Sequence, residues 1–307
     1  MNYTLHQLKI FLTVSKTLSV TKASEELHLS QPAVSIQLKN FQEQFKIPLL
    51  EVIGRRIHLT EFGEEIALAS QNILEEVDTL NMKIFAYEGQ LIGRLKVAVV
   101  STGKYVMPYF LSAFIRQNPG INLSLDVTNK TTVIENLEKN EIDFALVSVP
   151  PDHLQIEKIE LMENKLFLIG GRGQDLKLKY HTKDIFRKIP LIYREPGSGT
   201  RHVMESFMKQ HNLPVVKEME LTSNEAVKQA VIAGLGYSVM PVIGIKNELI
   251  NGDLEIISVG GFPIKSNWQL IWMKGKKFSP AAVAYLDYLR REKKKIINKT
   301  FGWAKKY

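Results

Sequence analysis

The sequence predicts an α/β protein with an all-α N-terminal part. Within residues 5–45, apolar side chains recur at helical spacing and the helical segments are joined by very short turns. Residues 60–88 continue one helical pattern without interruption. From Gly93 onward, short apolar runs alternate with helical patterns, which is typical of an α/β domain and favours a largely parallel sheet.

The composition limits the functions that this chain can have. With 307 residues it is long enough for two or three domains, and 45% apolar and 23% charged residues are typical of a globular protein. It has no cysteine, which excludes disulfides, thiol redox sensing and cysteine zinc sites. The N-terminus lacks the features of a signal peptide, and no apolar run approaches the roughly 18–20 residues of a membrane span. We therefore expect a cytoplasmic protein without membrane contact.

The net charge of +8 is unevenly distributed and favours an anionic partner. Residues 1–60 carry seven basic and four acidic side chains, residues 61–92 carry one and seven, and residues 290–307 carry eight and one. A solvated helix end is the simplest interpretation of this basic C-terminus, and its role stays open.

Residues 5–45 predict three helices in a helix-turn-helix arrangement. Ser19 is a good N-cap for the second helix, and Ser30 caps the third, which has Pro32 in its first turn. Only two residues connect these two helices, so they must meet at a steep angle. The third helix has one apolar stripe that predicts its buried face, formed by Val34, Leu38, Phe41 and Phe45.

The opposite face of the third helix carries an apolar residue, Ile36, that this core does not explain. The major groove of B-DNA admits one helix, and thymine presents a methyl group there. We therefore predict that this face reads DNA, with Ile36 against a thymine methyl and with Ser30 and Lys39 near phosphates. The alternative is that Ile36 is an incidental exposed side chain. The predicted reading surface consists of Ser30, Gln31, Pro32, Ser35, Ile36 and Lys39.

The next segment predicts a β-hairpin beside this helix. Short alternating apolar runs at 51–53 and 57–59 flank Gly54. Such a wing, with Arg55 and Arg56 at its tip, would lie on the DNA backbone or in the minor groove. It would contribute affinity more than sequence information.

Thr60 begins a helical pattern that extends to about Glu88. Its apolar residues are spaced alternately four and three apart, which makes a heptad seam of about three repeats. Such a seam pairs with a second copy of itself, and the dimer would bring two reading helices to an imperfectly palindromic operator. The alternative is a long helix packed on its own domain. The predicted dimer contacts are Ile66, Ile73, Val77, Leu80 and Ile84.

Polar residues follow several predicted strands in the remaining chain, where ligands of open α/β sheets bind. REPGSGTR at 194–201 is the most informative stretch. Its glycines allow close backbone approach, and the helix that follows at once attracts an anion to its N-terminus. The alternative is a capped helix start with nothing bound. The predicted effector site consists of Ser101, Thr102, Thr128, Asn129, Ser148, Gly197, Ser198, Gly199, Thr200, Arg201, Ser223 and Asn224.

Catalytic and metal motifs are missing from the sequence. Pro196 stands where the G-x-S-x-G elbow needs glycine, and GGRG at 170–173 lacks the third glycine of a dinucleotide fingerprint. The seven histidines have no paired spacing. We therefore expect no catalytic residues, no metal and no cofactor. Two other classes stay open: an exported solute-binding protein, and an enzyme that acts on a phosphorylated substrate.

The DNA-reading segment carries a family resemblance. TKASEELHLSQPAVSIQLKNFQEQFKIPLLEVIGRRIHLTEFG resembles the winged helix-turn-helix of LysR-type transcriptional regulators without a gap. Ile36 departs from that pattern where a basic residue is frequent, and Leu50 departs where phenylalanine is usual. The first departure affects base preference, and the second should be mild.

The rest of the chain is similar to the LysR subgroup that controls carbon-fixation (Calvin cycle, RuBisCO) operons, in stretches such as STGKYVMPYFLSAF and NEIDFALVSVPP. The resemblance implies a periplasmic-binding-protein-like effector domain with a cleft between two α/β lobes. It implies a phosphorylated or nucleotide effector, dimers or tetramers, and RNA polymerase as a further partner. The implied domains are 1–60 for DNA binding, 61–92 for the linker, and 93–307 for the effector, with lobe I at 93–162 and 265–307 and lobe II at 163–264.

Overall fold

A computed structural model describes residues 3–54, 56–87, 91–174, 182–214 and 219–307; the side chains of 78, 79 and 81–87 are outside this description. The chain divides into two compact units, Met1–Gly89 and Gln90–Tyr307. This division lies close to the predicted start of the effector domain at residue 93. The finer domain boundaries stay predictions.

The first unit begins with three helices and a hairpin. At the start of each helix a side chain accepts a backbone N–H: Thr4 from Gln7, Ser19 from Lys22 and Ser30 from Ala33. The caps of Ser19 and Ser30 were predicted, and that of Thr4 was not. The elements are α1 (Leu5–Thr17), α2 (Val20–Leu27), α3 (Gln31–Gln42), β1 (Leu50–Ile53) and β2 (Arg56–Leu59).

The predicted stripe of α3 faces the core of this unit. Val34 and Phe41 are fully buried, and Leu38 packs against the same core. Ala23 of α2 is also fully buried, which lets α3 cross α2 closely. The helix-turn-helix prediction is confirmed at the level of packing.

A long helix, α4 (Glu61–Tyr87), completes the first unit. The hydroxyl of Thr60 accepts the N–H of Gly63 at 2.9 Å and so caps its start. Ile66 packs on the core of α1 and α3, and Ser70 is buried with its hydroxyl donating to the carbonyl of Ile66. The first half of α4 therefore belongs to the core of its own unit.

The second unit contains nine described strands and six described α-helices. The strands are β3 (Gly93–Val100), β4 (Ile121–Thr128), β5 (Phe144–Val147), β6 (Ile156–Gly171), β7 (Ile192–Arg194), β8 (Met219–Leu221), β9 (Ser238–Pro241), β10 (Leu254–Ile257) and β11 (Ile264–Met273). The helices are α5 (Met107–Gln117), α6 (Lys130–Glu138), α7 (Gly199–Gln210), α8 (Asn224–Ile232), α9 (Lys246–Asn251) and α10 (Pro280–Ile296).

The main sheet is mixed, and the prediction of a largely parallel sheet is wrong. Strands β3, β4 and β5 pair in parallel, as do β7 and β8 in a separate small sheet. The long strands β6 and β11 are antiparallel to each other and to their other partners. The sequence shows only the apolar end of β6, because its first half alternates with charged residues.

Strands β6 and β11 extend through two halves with separate cores. One core is built on β3–β5 with α5, α6 and α10, and we call this half lobe I. The other is built on the end of β6 and β7–β10 with α7 and α8, and we call it lobe II. Strands β6 and β11 join the lobes, because residues of each belong to the cores of both.

The last part of the basic C-terminus, a tail of residues 297–307, is packed on the second unit, so the interpretation as a solvated helix end is wrong for this part. That interpretation holds for Arg290, Lys294 and Lys295, which are exposed at the end of α10. Phe301 is 3% exposed and stacks on Phe110 of α5 at 5.9 Å. Trp303 packs against the cores of both lobes, and Lys246 lies 5.3 Å from its ring centroid. The lysines of the tail and Asn298 are exposed.

Candidate functional site

The predicted reading face of α3 is open to solvent. Ile36 is 57% exposed, and the other five members of the predicted surface are exposed as well. Lys39 lies 3.8 Å from Glu43 on the same helix face, and Ser30 accepts the N–H of Ala33 at 3.4 Å. The fold thus presents the predicted set together, on a helix that its other face holds in the core.

The predicted wing is present as the β1–β2 hairpin, in which Ile53 pairs with Arg56. Arg56 is exposed, whereas Arg55 lies outside the described residues. Val52 and Ile53 are 72% and 58% exposed. These two side chains add apolar groups to the exposed surface of the hairpin. The alternating sequence pattern did not show that they are exposed rather than part of the core.

The heptad seam of α4 is split between two environments. Ile66 packs within its own unit, and Val77 is half-buried. Ile73 and Leu80 are 40% and 59% exposed in the single chain, and the Ile84 side chain is outside the described part. An exposed apolar pair one heptad apart is what a second copy of the helix would cover.

In the second unit, the predicted effector residues lie at the carboxyl ends of strands in both lobes. Three approaches connect the lobes across what we call the effector cleft. The glycines of the 197–199 loop lie close to lobe I. A Cβ atom at Gly199 would be 3.9 Å from the Ser148 hydroxyl oxygen, and a Cβ atom at Gly197 would be 2.8 Å from the Thr131 hydroxyl oxygen. The third approach is a hydrogen bond of 2.9 Å from Arg194 to Ser101.

Gly197 cannot be replaced without strain in this loop. Its φ of +83° lies in the region that favours glycine. The sequence analysis expected the glycine backbone to approach a ligand closely. In the structure, the backbone of Gly197 closely approaches Thr131 of lobe I.

Several predicted effector residues are engaged by the fold itself. Asn129 accepts the N–H of Thr132 and caps α6, and Ser223 accepts the N–H of Ala226 and caps α8. Thr102 is 6% exposed, and Thr128 and Thr200 are half-buried.

The Arg201 side chain is bound by two carboxylates of the protein itself. Its guanidinium donates to Glu205 and Glu220, each at 2.7 Å, and to the carbonyl of Arg194. Burial disfavours its charge, but the hydrogen bonds to the two carboxylates outweigh burial and raise the pKa of Arg201. Arg201 thus fastens α7 to β7 and β8.

Ser198 differs from the other caps. It stands at the N-cap of α7 and is 6% exposed, but its side chain makes no capping hydrogen bond. The first N–H groups of α7 therefore have no side-chain cap among the described residues, and they begin beside Ser148. This is the geometry that a helix N-terminus offers to an anion.

The prediction missed Arg194, which the structure places in the cleft. Arg194 is 3% exposed, and its Nε and Nη2 hold Glu195 at 2.7 and 2.8 Å. Its Nη1 has no hydrogen-bond partner among the described residues, and the same is true of Asn224 Nδ2 and the Tyr105 hydroxyl. The stretch REPGSGTR contained the signal, since an arginine at a strand end can donate to an anion.

A cavity of about 700 Å³ opens between α6 and the loop before α7. Gly197, Ser198 and Arg201 of the predicted set line it, with Lys130 and His202. Burial lowers the pKa of Lys130, which Asp152 partly opposes. The charge of the lining is mixed, because it also contains four carboxylates, those of Glu135, Glu138, Asp152 and Glu205. A bound anion would favour the charged form of Lys130, which burial disfavours.

Two further findings concern only the described residues. No helix among them has the length and apolarity needed to cross a membrane. No three side chains of His, Asp or Glu come together there in a way that could hold a metal ion.

Comparisons with known proteins match both units. Residues 5–64 match the family described as bacterial regulatory helix-turn-helix protein, lysR family, and residues 88–294 match the LysR substrate binding domain. The HTH-type transcriptional activator CmpR of Synechocystis is 42% identical over 94% of this chain and 95% of its own length. A RuBisCO operon transcriptional regulator of Acidithiobacillus ferrooxidans is 39% identical over 93% of both.

Solved structures show the same folds. The regulatory domain of Synechocystis CcmR in complex with 2-PG matches with a TM-score of 0.61 and 35% identity, covering 64% of this chain and 95% of that domain. Full-length CbnR complexed with its target DNA matches with a TM-score of 0.65 over 94% of this chain and 99% of that one. At 24% identity, the second match supports the fold alone.

Proposed function

The chain belongs to the LysR family of bacterial transcriptional regulators, and we propose that a small phosphorylated anion bound in the effector cleft controls its binding to operator DNA. It is a DNA-binding regulator rather than an enzyme, as its relatives are.

The guanidinium of Arg194 is the observation that carries the effector proposal. It is almost fully buried, donates to Ser101 across the cleft, and its Nη1 has no partner among the described residues. Buried polar groups normally find partners, and we propose that an anion is the partner of this donor. A charge-assisted bond to an anion in this place would also depend on how closely the lobes approach each other.

The class of anion follows from the chemistry of the cleft and from a relative. The uncapped start of α7 suits a phosphate, and the donors of Arg194 and Asn224 suit a second acidic group. The CcmR regulatory domain was solved with 2-PG, 2-phosphoglycolate, which carries both groups. We propose that this chain binds 2-phosphoglycolate or a small phosphorylated acid of the same chemistry. A tenfold preference for one lobe arrangement would supply about 1.4 kcal/mol of bias.

The DNA partner is proposed to be an operator with imperfect dyad symmetry. Two copies joined along α4 would place two α3 faces in major grooves about one helical turn apart. Ser30, Gln31, Pro32, Ser35, Ile36 and Lys39 would read or position the duplex, with Arg55 and Arg56 on its backbone. A protein with this target acts in the cytoplasm, as a dimer or a tetramer, with RNA polymerase as a further partner.

Calorimetry with 2-phosphoglycolate tests the effector site. We expect the exchange Arg194→Gln to weaken binding at least roughly tenfold, because a charge-assisted hydrogen bond is lost. Arg290→Gln, on an exposed arginine of α10, is the matched control and should bind as the parent chain does. Ser101→Ala removes the hydrogen bond between the lobes but keeps the Arg194–Glu195 ion pair, which Arg194→Gln breaks. Undiminished binding in both cleft variants would refute this placement.

DNA binding is tested separately by fluorescence anisotropy with the promoter region of the chain's own gene. We expect preference for the promoter over random DNA at near-physiological salt, and a change in affinity or footprint with 2-phosphoglycolate. Promoter preference without any response to the ligand would contradict the effector and leave the DNA function standing.

A further inference from the structure

A second cavity in lobe I lies between α5 and α10, and none of its lining residues belongs to the effector cleft. It measures about 460 Å³, within the size range of small-molecule sites. Its lining is strongly basic, with one carboxylate, that of Glu292. The lining cations are Arg116, Arg291, Lys295 and Lys299.

The cavity results from the sizes of the side chains that lie between the two helices. Phe114 of α5 contacts Tyr285 and Tyr288 of α10, while Tyr109 contacts Phe301, so the helices are antiparallel. Between these aromatic contacts, α5 presents only small side chains, Ser112 and Ala113, to the cavity. The helices are thus held together at both ends and leave space in the middle.

The far wall is formed by an unusual turn of the chain. Residues Ile297–Phe301 form a π-helix that continues α10, and it places Lys299 and Thr300 in the lining. Such turns are rare and occur frequently at functional sites. Because Phe301 is buried against α5, this wall is fixed rather than a frayed helix end.

The fold alone does not account for the charge of this cavity. Lys295 belongs to the last turn of α10, where a cation interacts favourably with the helix dipole. The same reason applies to Arg116 in the last turn of α5, but not to Arg291, which lies a turn earlier in α10. Like charges four residues apart on a helix are destabilising, and Arg291 and Lys295 are such a pair. Among the described residues, no carboxylate lies within 4.0 Å of Arg116, Arg291 or Lys299, and Glu292 pairs only with Lys295, at 3.9 Å.

We propose that this cavity is a second anion site that binds a small polyanion carrying at least two linked phosphate groups. Four cations against one carboxylate match that charge, and all four line one cavity between two helices. Tyr109, 52% exposed at the cavity, offers a ring on which the base of a nucleotide can stack. The family match ends at residue 294, so Lys295, Lys299 and Thr300 belong to the part of the chain beyond it.

Calorimetry of the full-length protein with sodium pyrophosphate tests this site. We expect the double exchange Arg291→Gln with Lys295→Gln to weaken pyrophosphate binding at least roughly tenfold, since two charge-assisted contacts are lost. Arg116→Gln should weaken it from the opposite helix. Arg290→Gln with Lys294→Gln removes the same charge from α10 outside the lining and should leave binding unchanged. Arg194→Gln should also leave it unchanged, which separates this site from the cleft.

The outcomes distinguish the sources of the phosphates and the rival explanations. Tighter binding of ATP than of pyrophosphate, reduced by Tyr109→Ala, would identify a nucleotide; equal binding would identify the phosphates alone, and both support the site. Equal loss in the two double variants would mean unspecific charge attraction. Loss with Arg194→Gln alone would assign the binding to the cleft. No pyrophosphate binding, or a weaker affinity for random DNA as the sole effect, would overturn the proposal.

Discussion

The reading face of α3 presents its polar side chains to solvent, whereas the effector cleft engages many of its polar side chains in bonds within the protein. On α3, Gln31, Ser35 and Lys39 are exposed and available to a partner. In the cleft, Ser223 caps a helix and Arg201 is held by two carboxylates. A convex reading surface needs only a rigid support, while a cleft between two lobes must also be held in shape by its own residues.

This contrast determines which substitutions report on binding alone. An exposed residue of α3 can be changed with little effect on the fold. A residue of the cleft has to be tested for stability and for affinity, because many of its polar groups serve both.

The largest effect is expected from the seam of α4. Ile73→Asp with Leu80→Asp should dissociate the dimer and weaken operator binding by at least roughly 100-fold, since avidity between half-sites is lost. Effector binding should not change. Sedimentation equilibrium, anisotropy and calorimetry measure the three properties. Leu68→Asp, at a residue 57% exposed on the same helix but outside the seam, is the control. A dimer that survives the double exchange would contradict the seam.

Arg201→Gln is expected to lower the free energy of unfolding by about 2 kcal/mol. The breaking of a fully buried ion pair costs about 3–5 kcal/mol. The loss is smaller here because side chains of Glu205 and Glu220 are 37% and 39% exposed and solvent screens them. Urea denaturation measures the change. Lost 2-phosphoglycolate affinity with unchanged stability would instead show that Arg201 is an effector ligand.

Ile36→Ala is expected to weaken operator binding by roughly 5- to 10-fold, about 1 kcal/mol, because an apolar contact with a base is lost. Random DNA should bind as before. Lys39→Ala is the contrasting variant: it should weaken both DNAs equally and reduce the salt dependence, as a phosphate contact does. Equal losses on operator and random DNA for Ile36→Ala would make this residue incidental surface.

The smallest effects concern the two serines at helix starts in lobe II. Ser223→Ala should destabilise the protein by about 1 kcal/mol, because the capping bond of 3.0 Å to Ala226 is lost. Ser198→Ala should change stability by less than about 0.5 kcal/mol, since no cap is lost there, but should weaken 2-phosphoglycolate binding a few-fold. Denaturation curves and calorimetry of both variants give the comparison. A loss of stability for Ser198→Ala and a loss of affinity for Ser223→Ala would contradict this assignment.

Local patterns were enough to predict the first unit. Helix caps depend on a side chain three residues from the N–H that it accepts, so Ser19, Ser30 and Thr60 could be recognised directly. The same holds for Ile36, whose exposure follows from helical periodicity once Val34 and Phe41 are buried.

The effector cleft was predictable only in outline. Strand ends carry Ser101, Ser148 and the 197–199 loop, and these do come together. Which donors lack a partner among the described residues could not be predicted, because this depends on groups that the fold brings together. Glu220 of β8 reaches Arg201, whereas Nη1 of Arg194 meets no acceptor among those residues.

By itself the sequence determined the helix-turn-helix, the wing, the long linker helix and the α/β character of the rest, because periodicity and capping act over a few residues. Four features depend on the folded chain: the antiparallel pairing of β6 and β11, the packing of the tail on both lobes, the Arg194 donor without a partner among the described residues, and the basic cavity beside α5. Each of these depends on residues far apart in the chain, and burial or charge pairing between such residues exists only once the chain has folded.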